Sequence, residues 1–385
     1  MMFMQRGLAL LISVFLLNGC AFFGTDNSLP PMALKDIKPQ AGVVEQWSVR
    51  AGDGTDGEYL QFVPARINDA IYVADASGEV TKLSTKDGNK LWQVDIELPI
   101  SAGVGQGAGL LFLGTSQGEV VALKPDNGQL VWRVKVSSEV LSAPQAAGNV
   151  VVTHTGDGNV FGLDAVSGAV IWTYKGNPPS LTLRGSSPPV VLADHVIMGF
   201  ANGRVAILNI LNGQKVWEHT LSVAQGGSEL QRLVDVKGSV IEQGGVVYMV
   251  NYQGNVAAVE IARSEVLWER TMSSYRSIAL DSNALYITDA DGVVWALDRT
   301  TGSTLWQQQD LQRRALSAPS IWEDYILVGD FDGYLHVLSA DEGKIIGRDH
   351  IASGAIDAQP LSDVDGVYVL STKGNVAKVL VERLK

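Results

Sequence analysis

Short runs in which apolar and polar residues alternate fill most of this chain, and turns containing glycine separate them. Residues 150–154 and 160–164 are two such runs, and Asp157-Gly158-Asn159 between them is a hairpin turn of the kind that needs positive φ. Another run follows at residues 169–174, and a short opening strand starts at residues 141–144. The pattern predicts a sheet of four antiparallel strands.

This four-stranded unit recurs along the chain. One turn glycine marks each repeat: Gly78, Gly118, Gly158, Gly203, Gly254, Gly292, Gly333 and Gly374. Tryptophan marks most of the fourth strands: Trp47, Trp92, Trp132, Trp172, Trp217, Trp268 and Trp306. A period of about 40 residues with strand patterning is typical of a β-propeller with one four-stranded blade per repeat. We therefore predict an all-β fold, an eight-bladed β-propeller of four-stranded antiparallel blades.

The two ends of the chain predict how the ring closes. The last repeat finishes after its third strand, residues 375–380, whereas a strand without a hairpin of its own, residues 43–49, precedes the first repeat. Pairing the N-terminal strand with the C-terminal hairpin completes the eighth blade and removes the free sheet edges. The fourth strand of the seventh repeat, Lys344-Ile345-Ile346, lacks the tryptophan.

The N-terminus has the layout of an export signal. An apolar run at residues 8–17, too short to span a membrane, precedes the chain's single cysteine, Cys20. The layout resembles a bacterial lipoprotein signal, and the resemblance implies that Cys20 is acylated and becomes the first mature residue. A plain signal peptide with an incidental cysteine is the alternative. Ala21 favours the outer membrane, because an Asp there would suggest retention at the inner membrane.

These features divide the chain into three parts. We assign residues 1–19 to a lipoprotein signal peptide, residues 20–41 to a lipidated tether that lacks strand or helix periodicity, and residues 42–385 to the propeller. The exported body has no further cysteine, so no disulfide forms within it. The net charge of −12, without a run of lysine or arginine, argues against nucleic acid as a partner.

No group of residues has the spacing of a catalytic or metal site. The five histidines are scattered (His154, His195, His219, His336 and His350), and none joins a cluster of metal-ligand form. Asp157-Gly158-Asn159 and residues 330–333 resemble calcium loops but lack the remaining ligands and the closing Glu, so we interpret them as turns. A nucleophile elbow and a phosphate loop are also missing. We predict no catalytic residue and no metal.

Residues 296–306 resemble the tryptophan-docking motif of quinoprotein-type (PQQ-like) propeller repeats. We interpret the seven tryptophans as structural: each indole packs between neighbouring blades, and its N–H reaches a backbone carbonyl. Quinone-dependent dehydrogenases with such repeats typically carry a pair of adjacent cysteines and long insertions that build a calcium site. This chain has one cysteine and lean blades. We therefore predict no enzyme activity and no cofactor.

Two loops break the period. The distance from each tryptophan to the next turn glycine is usually 24 to 28 residues, but it is 31 from Trp172 to Gly203 and 37 from Trp217 to Gly254. The first gap, which contains residues 52–57, is also 31 residues long. The two consecutive enlarged loops should touch on one face, and insertions in repeat proteins tend to mark the binding face.

The whole chain resembles the propeller lipoproteins of the bacterial β-barrel assembly machinery. The resemblance implies a scaffold at the periplasmic face of the outer membrane that binds a POTRA domain of the machinery's central barrel subunit and assists insertion of outer-membrane proteins. It also implies contact residues at Leu181, Leu183, Arg184 and Asp235. Where the family often has a second Asp, this chain has Lys237, which reverses the charge. If the Lys237 charge faces a basic patch of the partner, Lys237→Asp should strengthen binding.

Three questions stay open at this point. Leu181 and Leu183 could instead fold inward and cover the blade ends. The protein could be a periplasmic propeller enzyme or ligand-binding protein that uses the central channel. Exposed blade edges could also bind unfolded outer-membrane proteins by adding a strand.

Overall fold

The computed structural model describes residues 29–60 and 62–384. Cys20 and the predicted signal peptide lie outside these residues. A compact unit begins at Met32 and runs to the end of the chain.

The described residues form eight four-stranded antiparallel sheets, which confirms the predicted propeller. The chain enters with β1 (Ala41–Arg50). Blades 1 to 4 contain β2 (Ala65–Ile67), β3 (Ala70–Ala74), β4 (Glu79–Ser84), β5 (Lys90–Asp95); β6 (Ile100–Gly107), β7 (Leu110–Thr115), β8 (Glu119–Leu123), β9 (Leu130–Lys135); β10 (Gln145–Ala147), β11 (Val150–His154), β12 (Asn159–Asp164), β13 (Val170–Lys175); and β14 (Val190–Val191), β15 (His195–Gly199), β16 (Arg204–Asn209), β17 (Lys215–Thr220).

The second half of the ring has the same arrangement. Blades 5 to 8 contain β18 (Ile241–Gln243), β19 (Val246–Val250), β20 (Gly254–Glu260), β21 (Glu265–Met272); β22 (Ala279–Leu280), β23 (Ala284–Thr288), β24 (Val294–Asp298), β25 (Thr304–Gln308); β26 (Ser320–Trp322), β27 (Tyr325–Gly329), β28 (Tyr334–Ser339), β29 (Ile345–His350); and β30 (Leu361–Asp363), β31 (Gly366–Leu370), β32 (Asn375–Arg383) with β1 as its fourth strand. A short 3-10 helix, Leu230–Arg232, precedes blade 5.

Ring closure follows the prediction. Strand β1 pairs antiparallel with β32, from Ala41 opposite Arg383 to Arg50 opposite Asn375. Because the N-terminal strand completes the C-terminal blade, the edge of β32 is paired and the ring is closed by strands from both ends of the chain. The hydrophobic core lies between blades, where the largely buried second and third strands of adjacent sheets face one another.

The tryptophans join each blade to the next. Six of the seven indole N–H groups donate to a backbone carbonyl as predicted, whereas Trp217 Nε1 donates to the side-chain Ser264 Oγ at 2.8 Å. Trp132 Nε1 donates to Ala165 O at 2.8 Å, and Trp172 Nε1 donates to Ile210 O at 2.8 Å. In each case the acceptor lies in the turn between the third and fourth strands of the following blade. Gly168 in that turn has a φ of +74°, and a Cβ there would come within 2.7 Å of the Trp132 ring. The indole therefore packs flat against the turn.

The missing tryptophan of blade 7 has a structural reason. The third and fourth strands of blade 8 come from opposite ends of the chain, so no turn joins them and no turn carbonyl is present to accept an indole N–H. Blades 7 and 8 are joined here by a different hydrogen bond, in which the backbone N–H of Gln40, just before β1, donates to Ile346 O at 2.7 Å.

Residues 32–40 differ from the unpacked tether that the sequence suggested. The Met32 N–H donates to Gln312 O at 3.1 Å, and Lys35 pairs with Asp310 at 2.6 Å. Leu34 packs against the core cluster of blades 6 and 7. This stretch is part of the folded propeller.

Candidate docking site

The predicted contact residues lie on one face of the ring. A connector is the segment that joins the fourth strand of one blade to the first strand of the next. Since strand directions alternate, all connectors share one face, the connector face, with the turns between second and third strands. The connectors at residues 176–189 and 221–240 contain the two enlarged loops. They touch, as Ser180 Oγ donates to Glu229 Oε2 at 3.3 Å.

The first enlarged loop presents apolar and basic side chains together. Leu181 is 39% exposed, Leu183 is half-buried and the Arg184 side chain is 42% exposed. Leu181 therefore does not fold into the blade ends. We name the surface formed by Leu181, Leu183 and Arg184 the docking face.

Asp235 lies beneath this surface. Its side chain is buried, with 3% of the residue exposed, and its Oδ2 accepts a hydrogen bond from the Leu183 backbone N–H. Burial raises the pKa of Asp235 to about 6, although the Leu183 N–H and the Lys237 ammonium act in the opposite direction. The structure thus places Asp235 where it positions the loop from below.

The expectation that the Lys237 charge faces a partner is wrong, because the side chain is buried. Only 3% of the residue is exposed. Its Nζ lies 4.3 Å from the ring centre of Tyr59 and 5.8 Å from that of Tyr275. Burial and the nearby Arg276 guanidinium lower the pKa of Lys237 to about 8. Its stem passes under Gly185, where a Cβ would lie 2.4 Å from Lys237 Cε, and the φ of +125° at Gly185 favours glycine there.

A third loop, which sequence reasoning did not assign to the site, reaches the same place. The connector before blade 1 carries Glu58, whose Oε2 lies 3.3 Å from Arg184 Nη2. From the connector between blades 2 and 3, Glu139 Oε2 lies 3.7 Å from Arg184 Nη1. The 31-residue gap between Trp47 and Gly78 was the signal for this loop. Its reach across the ring could not be read from spacing.

The central channel forms a separate cavity of about 350 Å³. Its lining includes Arg276, Asp357 and Ser142. Arg276 is buried and pairs with Asp357 at 2.5 Å. Among the described residues, no group of three or more His, Cys, Asp or Glu side chains is arranged to hold a metal.

The polar residues singled out in the sequence have structural partners. His154 is buried, its Nδ1 lies 3.3 Å from Ser187 O, and burial lowers its pKa to about 4, so the ring is neutral at pH 7. Asp157 accepts hydrogen bonds within its own turn. Asp330 pairs with Arg314 at 2.8 Å and with the buried His336 at 2.9 Å.

Comparison with known proteins identifies the family. A family model described as "Outer membrane protein assembly factor BamB" matches residues 76–308. The protein of that name from Pseudomonas aeruginosa is 46% identical over 368 residues, which cover 96% of this chain and 97% of the relative. The Escherichia coli K12 protein of the same name is 33% identical, with 94% and 95% covered.

The chain belongs to the BamB family of outer membrane protein assembly factors. The crystal structure of BamB from Moraxella catarrhalis matches with a TM-score of 0.81 at 30% identity, over 88% of this chain and 99% of that one. Quinohemoprotein alcohol dehydrogenase from Comamonas testosteroni matches with a TM-score of 0.71 at 13% identity, over 89% and 76%. At that identity the likeness shows a shared fold only. The matches confirm the family resemblance that the sequence suggested.

Proposed function

We propose that this protein is a non-catalytic scaffold lipoprotein of the outer-membrane β-barrel assembly machinery. It binds a POTRA domain of the machinery's central barrel subunit and assists assembly and insertion of outer-membrane proteins. Membership of the BamB family supports the role in assembly. The partner and the contact residues rest on the resemblance and on the geometry of the docking face.

The observation that carries the proposal is the composition of the docking face and the way its backbone is positioned. Leu181 and Arg184 are both exposed on the same loop, and the buried Asp235 fixes the backbone at Leu183. An apolar contact and an arginine on a positioned backbone are the composition of a binding hot spot. Because the loop is already held in place, little ordering entropy is lost on binding.

We propose that acylated Cys20 holds the protein at the periplasmic face of the outer membrane. Several acyl chains on one residue anchor firmly where a single chain would bind reversibly. Within the described residues, no helix is long and apolar enough to cross a membrane.

The fourth strands offer a contact for unfolded outer-membrane proteins. Their outward apolar side chains are exposed: Leu91, Leu130, Ile171, Val216 and Leu305. Each fourth strand of blades 1 to 7 is the outer edge of its sheet. An extended client strand can pair with such an edge through main-chain hydrogen bonds.

The channel cavity supports a second candidate, a quinoprotein-like enzyme or ligand-binding protein of the periplasm. Its volume of about 350 Å³ lies in the range of small-molecule sites.

Purification of the tagged lipoprotein from detergent-solubilised outer membranes separates the two candidates. A scaffold is colourless and brings down the POTRA-bearing barrel subunit in stoichiometric amount. A quinoprotein shows visible absorption and reductant-dependent activity without that subunit, which would contradict the scaffold proposal.

A further inference from the structure

The loop that precedes blade 1 is held in a fixed path by contacts with the propeller. Its base is pinned by hydrogen bonds from Thr55 N to Thr372 O at 3.0 Å and from Ala76 N to Gly54 O at 2.8 Å. Leu60 and Phe62 are buried in the core cluster of blades 1, 2 and 8. Between these two attachments, Glu58 and Tyr59 extend to blades 4 and 5 on the far side of the ring.

Tyr59 adds an aromatic surface beside the docking face. The residue is 47% exposed, and its ring covers the Lys237 ammonium. Lys237 in turn lies under Gly185, which is the residue that follows Arg184 in the chain. The buried lysine thereby links the loop before blade 1 to the first enlarged loop. Tyrosine is a rigid residue that is enriched at protein interfaces, because it supplies large contact area at low entropic cost.

Arg184 keeps most of its hydrogen-bonding capacity free. Its guanidinium has five N–H donors, and among the described residues it makes one hydrogen bond, the 3.3 Å contact of Nη2 with Glu58. The 3.7 Å approach of Glu139 is too long for a hydrogen bond. A fork of this shape binds a carboxylate through two parallel hydrogen bonds. The face therefore fits a carboxylate flanked by apolar side chains.

We infer that Tyr59 and Glu58 complete the docking face, so that the partner contacts Tyr59 and Leu183 together and presents a carboxylate to Arg184. Glu58 holds the guanidinium in the free protein, and the partner's carboxylate replaces it on binding. This inference rests on the proposed function, with the POTRA domain as the occupant. The resident glutamate makes the exchange selective, since a partner that offers only apolar surface gains no replacement for the Arg184 contact.

Photo-cross-linking in cells tests the surface. A benzophenone amino acid replaces Tyr59, Leu183 or, as a control, Val364, which is 94% exposed on the face opposite the connectors. We expect adducts with the barrel subunit from positions 59 and 183 and none from 364. Adducts from 183 alone would overturn the inference while leaving the proposed function standing. Absence of adducts from both 59 and 183 would overturn the proposed function as well.

Affinity measurements with purified POTRA domains test the chemistry. Tyr59→Ser should weaken binding by about tenfold, and Tyr59→Phe, which keeps the ring over Lys237, should recover most of that loss. Arg184→Lys keeps the charge but loses the fork, so binding should again weaken by about tenfold. Glu58→Gln removes the competing carboxylate and should tighten binding. Unchanged affinity in Tyr59→Ser, or in Arg184→Lys, would contradict the inference.

Discussion

The buried carboxylate of Asp235 accepts a hydrogen bond from the backbone N–H of Leu183, fifty-two residues earlier in the chain. This contact ties the two enlarged loops together from below. It makes Asp235 a positioning residue, because its burial leaves no carboxylate surface for a partner.

Replacement of Asp235 should therefore act through the loop. Asp235→Asn retains an oxygen acceptor for the Leu183 N–H, whereas Asp235→Ala removes it and leaves a buried donor unpaired. We expect capture of the POTRA-bearing subunit to fall about tenfold in the Ala variant and much less in the Asn variant. Equal loss in both variants would indicate that the charge itself contacts the partner.

The same residue sets a pH dependence. Because burial raises the pKa of Asp235 from 3.8 to about 6, the folded protein binds a proton more readily than the unfolded chain between these values. This group therefore makes the free energy of unfolding decrease as pH rises through the window from about 4 to about 6. Denaturant titrations at several pH values should show a smaller decrease in Asp235→Asn. Identical pH profiles would show that Asp235 ionises normally.

Lys237→Asp should destabilise the protein instead of strengthening partner binding. The substitution places a third carboxylate near Asp235 and Asp357 in a buried site and removes the ammonium between Tyr59 and Tyr275. Breaking a buried charge arrangement in this way typically costs about 3–5 kcal/mol. Lys237→Met, which keeps the side-chain volume without a charge, is the matched control and should lose less stability than Lys237→Asp. A melting temperature at or above that of the wild type in Lys237→Asp would contradict the buried placement.

Removal of β1 tests ring closure. Deleting residues 41–50 exposes the edge of β32 and opens the ring, so we expect aggregation or a large loss of stability. Deleting residues 32–40 should lower the stability less than deleting β1 does. The loss should still exceed that from removing a free tether, because Leu34 and Lys35 contact blades 6 and 7. Thermal unfolding of both deletions compares them. Equal stability for the two would show that β1 does not close the ring.

Cys20→Ala should abolish lipid attachment and mislocalise the protein, while the propeller still folds. The reason is the position of this cysteine directly after a short apolar signal. Metabolic labelling with radioactive fatty acid gives the readout, with circular dichroism of the purified variant as the folding control. Label incorporated into the Cys20→Ala protein would disprove the assignment.

Much of the fold could be predicted because each blade repeats a local signal. The turn glycines and the fourth-strand tryptophans mark strand order directly. The N-terminal strand without a hairpin and the last repeat without a fourth strand predict the closure. The register of blade 7 places Gly347 in the tryptophan position. The loss of the tryptophan was visible in the sequence, but its cause was not. That cause depends on blade 8 having no turn between β32 and β1.

The candidate site was predictable only in part. Loop lengths pointed to the enlarged connector, and the family resemblance pointed to Leu181 and Arg184 within it, both of which are exposed. The burial of Lys237 depends on Tyr59, 178 positions away in the chain and brought close by the ring. Contacts between non-adjacent blades leave no periodic trace, so spacing cannot reveal which charge faces inward.

The affinity of purified POTRA domains for the wild type and for Leu181→Ala and Arg184→Ala tests the central proposal most directly. A hot-spot residue costs about 2 kcal/mol or more on truncation, roughly thirtyfold in affinity. We predict losses of this size with an unchanged melting temperature, since both side chains are exposed. Arg204→Ala, which alters an exposed arginine outside the docking face, is the control and should bind as the wild type does. Unchanged affinity in Leu181→Ala and Arg184→Ala, with a lowered melting temperature, would show that these residues only cover the blade ends.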